Sequence, residues 1–161
     1  MRLRFALPGL LVLVLPALLP AAVTAVHVID RADVLNGKPF GKTGPYEAIR
    51  ARVEFAVDPK LPANRIIADI DLAPKDDQGL VEFSADLYVL KPRDPKTGNG
   101  TALVEISNRG GKGLLGTFDF ARGPLKLDSP DAFGDGFLLE QGYTLVWIGW
   151  EFDVPPGEDL M

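Results

Sequence analysis

The 161-residue chain contains no cysteine, so an exported form of it gains nothing from disulfides and offers no thiolate to zinc, to haem attachment or to a lipid. Its stability has to come from packing. Histidine is almost as scarce, with His27 the single one. Serine chemistry is thin too: beyond residue 25 only Ser84, Ser107 and Ser129 are present, and none lies in a Gly-x-Ser-x-Gly elbow. A hydroxyl without a positioned base stays a weak nucleophile, so triad catalysis by this chain alone is excluded. No Lys/Arg cluster interrupts a net charge of −5, which removes the electrostatic footprint for nucleic acid or anionic lipid. The longest apolar run after the first 25 residues, Tyr143 to Trp150, is strand-sized. Spanning a bilayer takes about 20 residues, so no later segment is expected to cross a membrane.

What the chain does have begins with a distinct leader. Arg2 and Arg4 precede an apolar run from Phe5 to Leu19, then Pro20 and Ala21-Ala22-Val23-Thr24-Ala25. This is the pattern of a secretory signal peptide over residues 1–25, cleaved after Ala25, and it places the mature protein in the periplasm or outside the cell. Pro8 and Pro16 break the run and argue against an uncleaved anchor. Removing 25 of the 161 residues leaves 136, and losing Arg2 and Arg4 moves the net charge from −5 to −7. Residues 26–161 are read as one domain.

Within that domain the apolar spacing indicates strands. Val26 to Ile29 reads as a short edge strand, followed by a turn-rich loop from Asn36 to Pro45. Tyr46 to Val57, Arg65 to Leu72 and Leu80 to Leu90 each alternate apolar and polar residues, the period of a half-buried antiparallel strand, and together they predict a meander. The texture then changes. Thr101 to Ile106 and Tyr143 to Trp150 are nearly continuous apolar runs, expected of parallel strands covered on both faces. The 36 residues between them suffice for a helical crossover, with Asp135 as N-cap, a helix from Gly136 to Gln141 that turns Leu138 and Leu139 to the sheet, and Gly142 as the stop. The sequon Asn99-Gly100-Thr101 is read as a turn. The fold class is therefore α/β, with leading antiparallel strands and then a parallel strand-helix-strand unit.

Ser107-Asn108-Arg109-Gly110-Gly111-Lys112-Gly113 follows the first apolar strand directly. Glycines at the carboxyl end of a central strand let backbone N–H groups approach a ligand, and in acyl-transfer enzymes such a loop supplies an oxyanion donor. Gly110 and Gly111 are the candidate donors; Asn108, Arg109 and Lys112 are candidate substrate contacts. The bland alternative is a flexible loop with a solvated Lys and Arg. A phosphate-binding loop is rejected because Ile106 stands where its first Gly belongs and Gly113 where it needs Ser or Thr. An EF-hand counted from Asp131 fails at Phe133 and Gly142, and no metal site or cofactor is expected. Glu105 and Glu151 could form a glycosidase-type pair, although carboxylates in buried strands are more often held structurally. Trp147, Trp150 and Phe152 read more readily as core than as pocket.

Several phrases together resemble the amino-terminal region of the exported bacterial "alpha/beta hydrolase domain" proteins. These are Asn36-Gly37-Lys38-Pro39-Phe40-Gly41, Gly44-Pro45-Tyr46-Glu47, Ser107 to Lys112, and Gly136-Phe137-Leu138-Leu139-Glu140-Gln141-Gly142-Tyr143 with Trp147-Ile148-Gly149-Trp150. The resemblance covers Asp33 to Pro155. It implies an α/β-hydrolase-like sheet with the oxyanion-type loop at Asn108 to Lys112, and a small-molecule ester or related acyl substrate in the full-length family. The same pattern should continue to a nucleophile elbow, an acid and a histidine, so the chain is expected to be the front portion of such a hydrolase, truncated before its elbow and inactive alone. The competing expectation is a non-catalytic exported β-rich binding module. A bare apolar edge beside Tyr143 to Trp150 is expected to make the isolated chain poorly soluble.

Overall fold

The computed structural model describes residues 21–154, so residues 1–20 of the leader read over residues 1–25 lie outside them. Five strands form one mixed sheet: β1 (Ala21–Asp33), β2 (Tyr46–Val57), β3 (Val81–Pro92), β4 (Ala102–Ile106) and β5 (Thr144–Gly149), in the spatial order β1-β2-β3-β5-β4. The first three make an antiparallel meander. β5 pairs antiparallel with β3 and parallel with β4, so the two continuous apolar runs are parallel neighbours, as their texture predicts. Two short helices, α1 (Leu114–Phe118) and α2 (Phe137–Glu140), sit in the crossover between them. The result is a mixed sheet with little helix and a single parallel strand–crossover–strand unit.

The main buried cluster lies on one face, while Ile49, Ala51, Val53 and Val57 of β2 are buried on the other. Leu103, Leu145, Leu90 and Ala48 line up across β4, β5, β3 and β2, and the crossover folds Leu115, Phe133, Leu138 and Leu139 onto that row. Three of the phrases behind the family resemblance meet here. The Phe40 ring packs edge-on against Tyr46 and Phe133, at centroid distances of 5.6 and 5.8 Å. The buried Tyr46 hydroxyl lies 3.0 Å from the Leu139 carbonyl and 2.9 Å from that of Tyr143, which ties β2 to the end of α2. Asp135 accepts the Phe137 N–H at 3.1 Å. Gly136 stands just outside α2 at φ 73°, and Gly142 at φ 78° ends it.

Four expectations need correction. First, Arg65 to Leu72 is not a strand. The Asn64 amide donates to Leu61, Ile67 to Asn64, Ile70 to Ile67 and Leu72 to Asp69, so the segment satisfies its backbone in successive tight turns, and Asp69 adopts a left-handed φ of 57°. The sheet explains why: β1 and β3 already occupy both edges of β2, and β5 takes the other edge of β3. The alternation in this segment buries only Ile70 firmly; Ile66 and Leu72 are 89% and 81% exposed. Second, the meander's third member is β1, which runs from Ala21 to Asp33 rather than over Val26 to Ile29, with register shifts at Val23/Ala25 and Val28/Asp30.

Third, β4 is not covered on both faces. The buried crossover residues pack on one side, and on the other Val104 and Ile106 stay 57% and 58% exposed, whereas Val146 and Ile148 of β5 are half-buried. Fourth, among the described residues the unpaired edge beside the parallel pair belongs to β4, because β5 inserts between β3 and β4. An apolar edge strand is the kind that pairs with other chains, so the liability foreseen for β5 falls on β4 instead.

Candidate functional site

The glycine loop leaves the carboxyl end of β4, where the Ser107 amide donates to Ile148 at 3.1 Å and thereby continues the parallel ladder by one residue. The chain then reverses through two left-handed residues, Arg109 at φ 51° and Gly110 at φ 75°. A side chain tolerates that region poorly and glycine does not. The Gly111 N–H donates back to the Asn108 carbonyl at 3.1 Å and is spent in closing the turn. The Gly110 N–H makes no hydrogen bond to another described residue. Of the two candidate donors, Gly110 is therefore the one with an uncommitted amide.

Glu105 holds this loop. One of its carboxylate oxygens lies 2.9 Å from the Gly113 N, 3.0 Å from the Leu114 N and 2.6 Å from the Trp147 Nε1. Two of these donors are the orphan amides at the start of α1, which no helical carbonyl can satisfy. The third is the indole of the fully buried residue opposite Glu105 on β5. One carboxylate thus fixes where the loop ends, where α1 begins and how the central tryptophan sits. Sequence reasoning weighed Glu105 as half of a glycosidase pair. Here its three donors give it a structural task, and Glu151 faces Arg109 at 3.3 Å.

The remaining candidates divide. Arg109 turns toward the chain beyond β5, where its guanidinium lies 2.9 Å from Asp153 and holds that carboxyl below its ordinary range. Asn108 is exposed, and its carbonyl serves the turn. Lys112 points along the core face, its Nζ 5.3 Å from the Tyr88 ring centroid, within cation–π range. Trp147 is core, whereas Trp150 and Phe152 are exposed.

Among the described residues no serine has a base. Ser84 accepts from Arg52 Nε at 3.0 Å, and Ser129 opens a short turn. Ser107 is fully buried, and its Oγ finds no hydrogen-bond partner. His27 lies on β1 beside Glu54, 3.2 Å away. Four strand spacings separate β1 from β4, roughly 19 Å at the usual interstrand distance. His27 cannot act on Ser107. Among the described residues no group of three His, Cys, Asp or Glu is placed to hold a metal ion.

Sequence reasoning missed Asp119. It is fully buried, and its carboxylate accepts the Leu138 N–H at 3.1 Å while its carbonyl accepts the Asp135 N–H at 2.8 Å. Burial raises its pKa to about 6; the Leu138 amide opposes this, and the negative charge of Asp135 adds to it. The only signal in the sequence is a lone acid between Phe118 and Phe120. Because the folded value stands above the unfolded one, the native state holds this proton more tightly, and stability falls as pH rises from about 4 to 6. The span is at most roughly 3 kcal/mol, and solvent screening reduces it. Asp119→Asn keeps an acceptor for Leu138 but removes the titration. Its melting temperature is expected to gain on the wild type as pH rises from 4.5 to 7. A difference independent of pH would show that Asp119 does not carry the effect.

No family model, no curated protein and no solved structure matches the chain.

Proposed function

We propose that this chain is the front portion of an exported serine-type α/β hydrolase, acting on an ester or related acyl bond, and that its contribution to the reaction is the oxyanion loop. The observation that carries this reading is the uncommitted Gly110 N–H in a left-handed glycine turn. That turn stands at the carboxyl end of a strand whose neighbour is parallel and joined through a crossover. Open sheets with parallel strands bind ligands at that end, and a preorganised backbone donor aimed at developing negative charge is the largest single contribution in acyl transfer. Glu105 supports the reading, because a carboxylate shared among Gly113, Leu114 and Trp147 gives the loop the rigidity that preorganisation requires.

The chain holds no nucleophile elbow, and its one histidine is remote, so it is expected to hydrolyse p-nitrophenyl acetate no faster than buffer does. Turnover that survives replacement of Ser84, Ser107 and Ser129 together would contradict the proposal. The reading frame beyond the codon for Met161 tests it independently. A Gly-x-Ser-x-Gly segment followed by an acid and a histidine is expected; an immediate stop, or a frame without those residues, would sink the hydrolase reading.

A non-catalytic exported binding module is the second reading. A cleft on the core face, bordered by Lys112 and Tyr88, favours it.

A further inference from the structure

That cleft lies where the crossover does not close fully onto the meander. Asp30, Ala32, Ala48, Arg50 and Tyr88, from β1, β2 and β3, make its floor. Residues 125–128 of the crossover make one wall, and Lys112, from the glycine loop, closes an end. Its volume is about 430 Å³, within the range of small-molecule sites and more than a bare inorganic anion would fill.

The charges lining it are unlike those of the chain as a whole. Arg50, Lys112 and Lys126 face Asp30 and Asp128 there, three bases to two acids in a protein of net charge −5. Arg50 and Asp30 are committed to each other, with Arg50 Nε 3.0 Å from the Asp30 carboxylate. That pairing holds Asp30 below its ordinary pKa and fixes the guanidinium against the floor. Lys126 is exposed and forms no ion pair with a described residue.

Two further features define what would fit. The Tyr88 hydroxyl makes no hydrogen bond to a described residue and is not sealed from solvent. Burial pushes its pKa up to about 12, so at neutral pH it stays protonated and can donate. The rest of the lining is apolar: Ala32 and Ala48 below, Leu125 and Leu127 at the side. A phenol donor and a mobile ammonium recognise an anionic oxygen, and aliphatic walls with an aromatic face recognise a short apolar body.

We propose that this cleft binds a small amphipathic monocarboxylate, its carboxylate between Lys126, Lys112 and the Tyr88 hydroxyl and its apolar part against Leu125, Leu127 and the two alanines. A single negative charge matches Lys126, the lysine there that forms no ion pair with a described residue. A doubly charged phosphate would bring one charge too many up to Asp128 and Asp30. The site is separate from any covalent chemistry, and the inference stands whether or not the hydrolase reading does.

Benzoate is the probe. Titrated into the ¹⁵N-labelled chain, it is expected to shift the Ala32 and Leu127 amide resonances saturably, with a Kd on the order of 1 mM for so small a ligand. Benzyl alcohol, with the same ring and no charge, should bind at least about tenfold more weakly, and inorganic phosphate should produce no saturable shift at those amides. Lys126→Glu, on an exposed side chain, should weaken benzoate about tenfold or more, and Tyr88→Phe a fewfold. Both variants must keep their resonances outside the cleft. Equal binding of benzyl alcohol, saturable binding of phosphate, insensitivity to Lys126→Glu, or no saturable shift up to about 20 mM would each overturn the proposal.

Discussion

Glu105→Ala is expected to cost about 3–4 kcal/mol of folding stability, because it strips one indole and two backbone donors of their shared acceptor. The two amides, at Gly113 and Leu114, stand near solvent and can recruit water. The Trp147 Nε1–H cannot, since its residue is fully buried, and a buried donor left without a partner carries the full desolvation penalty. Urea denaturation measures the loss. Hydrogen exchange localises it: the Gly113 and Leu114 amides, protected in the parent by a carboxylate at 2.9 and 3.0 Å, should exchange at rates near those of an open loop. Glu105→Gln retains one acceptor oxygen and should lose roughly half as much, since a neutral amide accepts more weakly than a carboxylate. An alanine variant as stable as the parent, with Gly113 and Leu114 still protected, would remove Glu105 as the anchor of the glycine loop.

Gly134→Ala should be more severe, preventing folding or costing more than about 4 kcal/mol. A Cβ at this position would lie 1.7 Å from the Asp119 carbonyl oxygen and 2.7 Å from the Ala121 nitrogen. Both are backbone atoms, which cannot move aside by changing a rotamer. The residue's φ of 56° and ψ of −128° lie in a region open essentially to glycine alone. The same close approach of two loop segments carries the Asp135 to Asp119 hydrogen bond, so displacing it would also disturb the buried carboxyl that receives the Leu138 amide. Gly123→Ala is the matched control. That glycine also has a positive φ, 74°, but a Cβ there meets nothing within 4 Å, so it should cost only about 1 kcal/mol of backbone strain. Equal thermal shifts for the two variants would mean that the close approach at Gly134 does not exist.

Both effects arise in the crossover, where sequence patterns are least informative. Among the strands, period alone carried far. β2 occupies Tyr46 to Val57 as its alternation predicts, and β3 differs from the predicted range by a residue or two. The two continuous apolar runs became a parallel pair, because parallel strands need a long connection and 36 residues lay between them. Gly142 ended α2 as its chemistry requires, but the residue that caps its start is Gly136 rather than Asp135, whose carboxylate accepts the Phe137 amide from outside the helix. Arg65 to Leu72 shows the limit of this kind of reading. Alternation reports that a segment could present two faces, but a strand also needs a neighbour with an open edge, and here both edges of β2 and of β3, the strands flanking this segment in the chain, were already taken.

The candidate site divides along the same line. The place of the glycine loop, at the end of an apolar strand, was legible because glycine runs and strand ends are local features. The division of labour within it was not. Nothing in Asn108 to Lys112 indicates that the Gly111 amide closes the turn while that of Gly110 stays uncommitted, or that Arg109 points toward Asp153. The partners of Glu105 are 8, 9 and 42 residues away along the chain, and the cleft draws residues from Asp30 to Asp128.

By itself, then, the sequence determined four of the five described strands, several of the turns, and that no Gly-x-Ser-x-Gly elbow lies within these 161 residues. Those properties depend on side-chain period, glycine and simple inventory, each readable over a few residues. Tertiary structure alone decided that β5 lies inside β4, that the second face of β4 stays exposed, that Glu105 is an anchor, and that Lys126 and Tyr88 share a cleft. Each of these depends on which distant segment arrives beside another, and hydrogen-bond partners and buried charges are chosen only when the pieces meet.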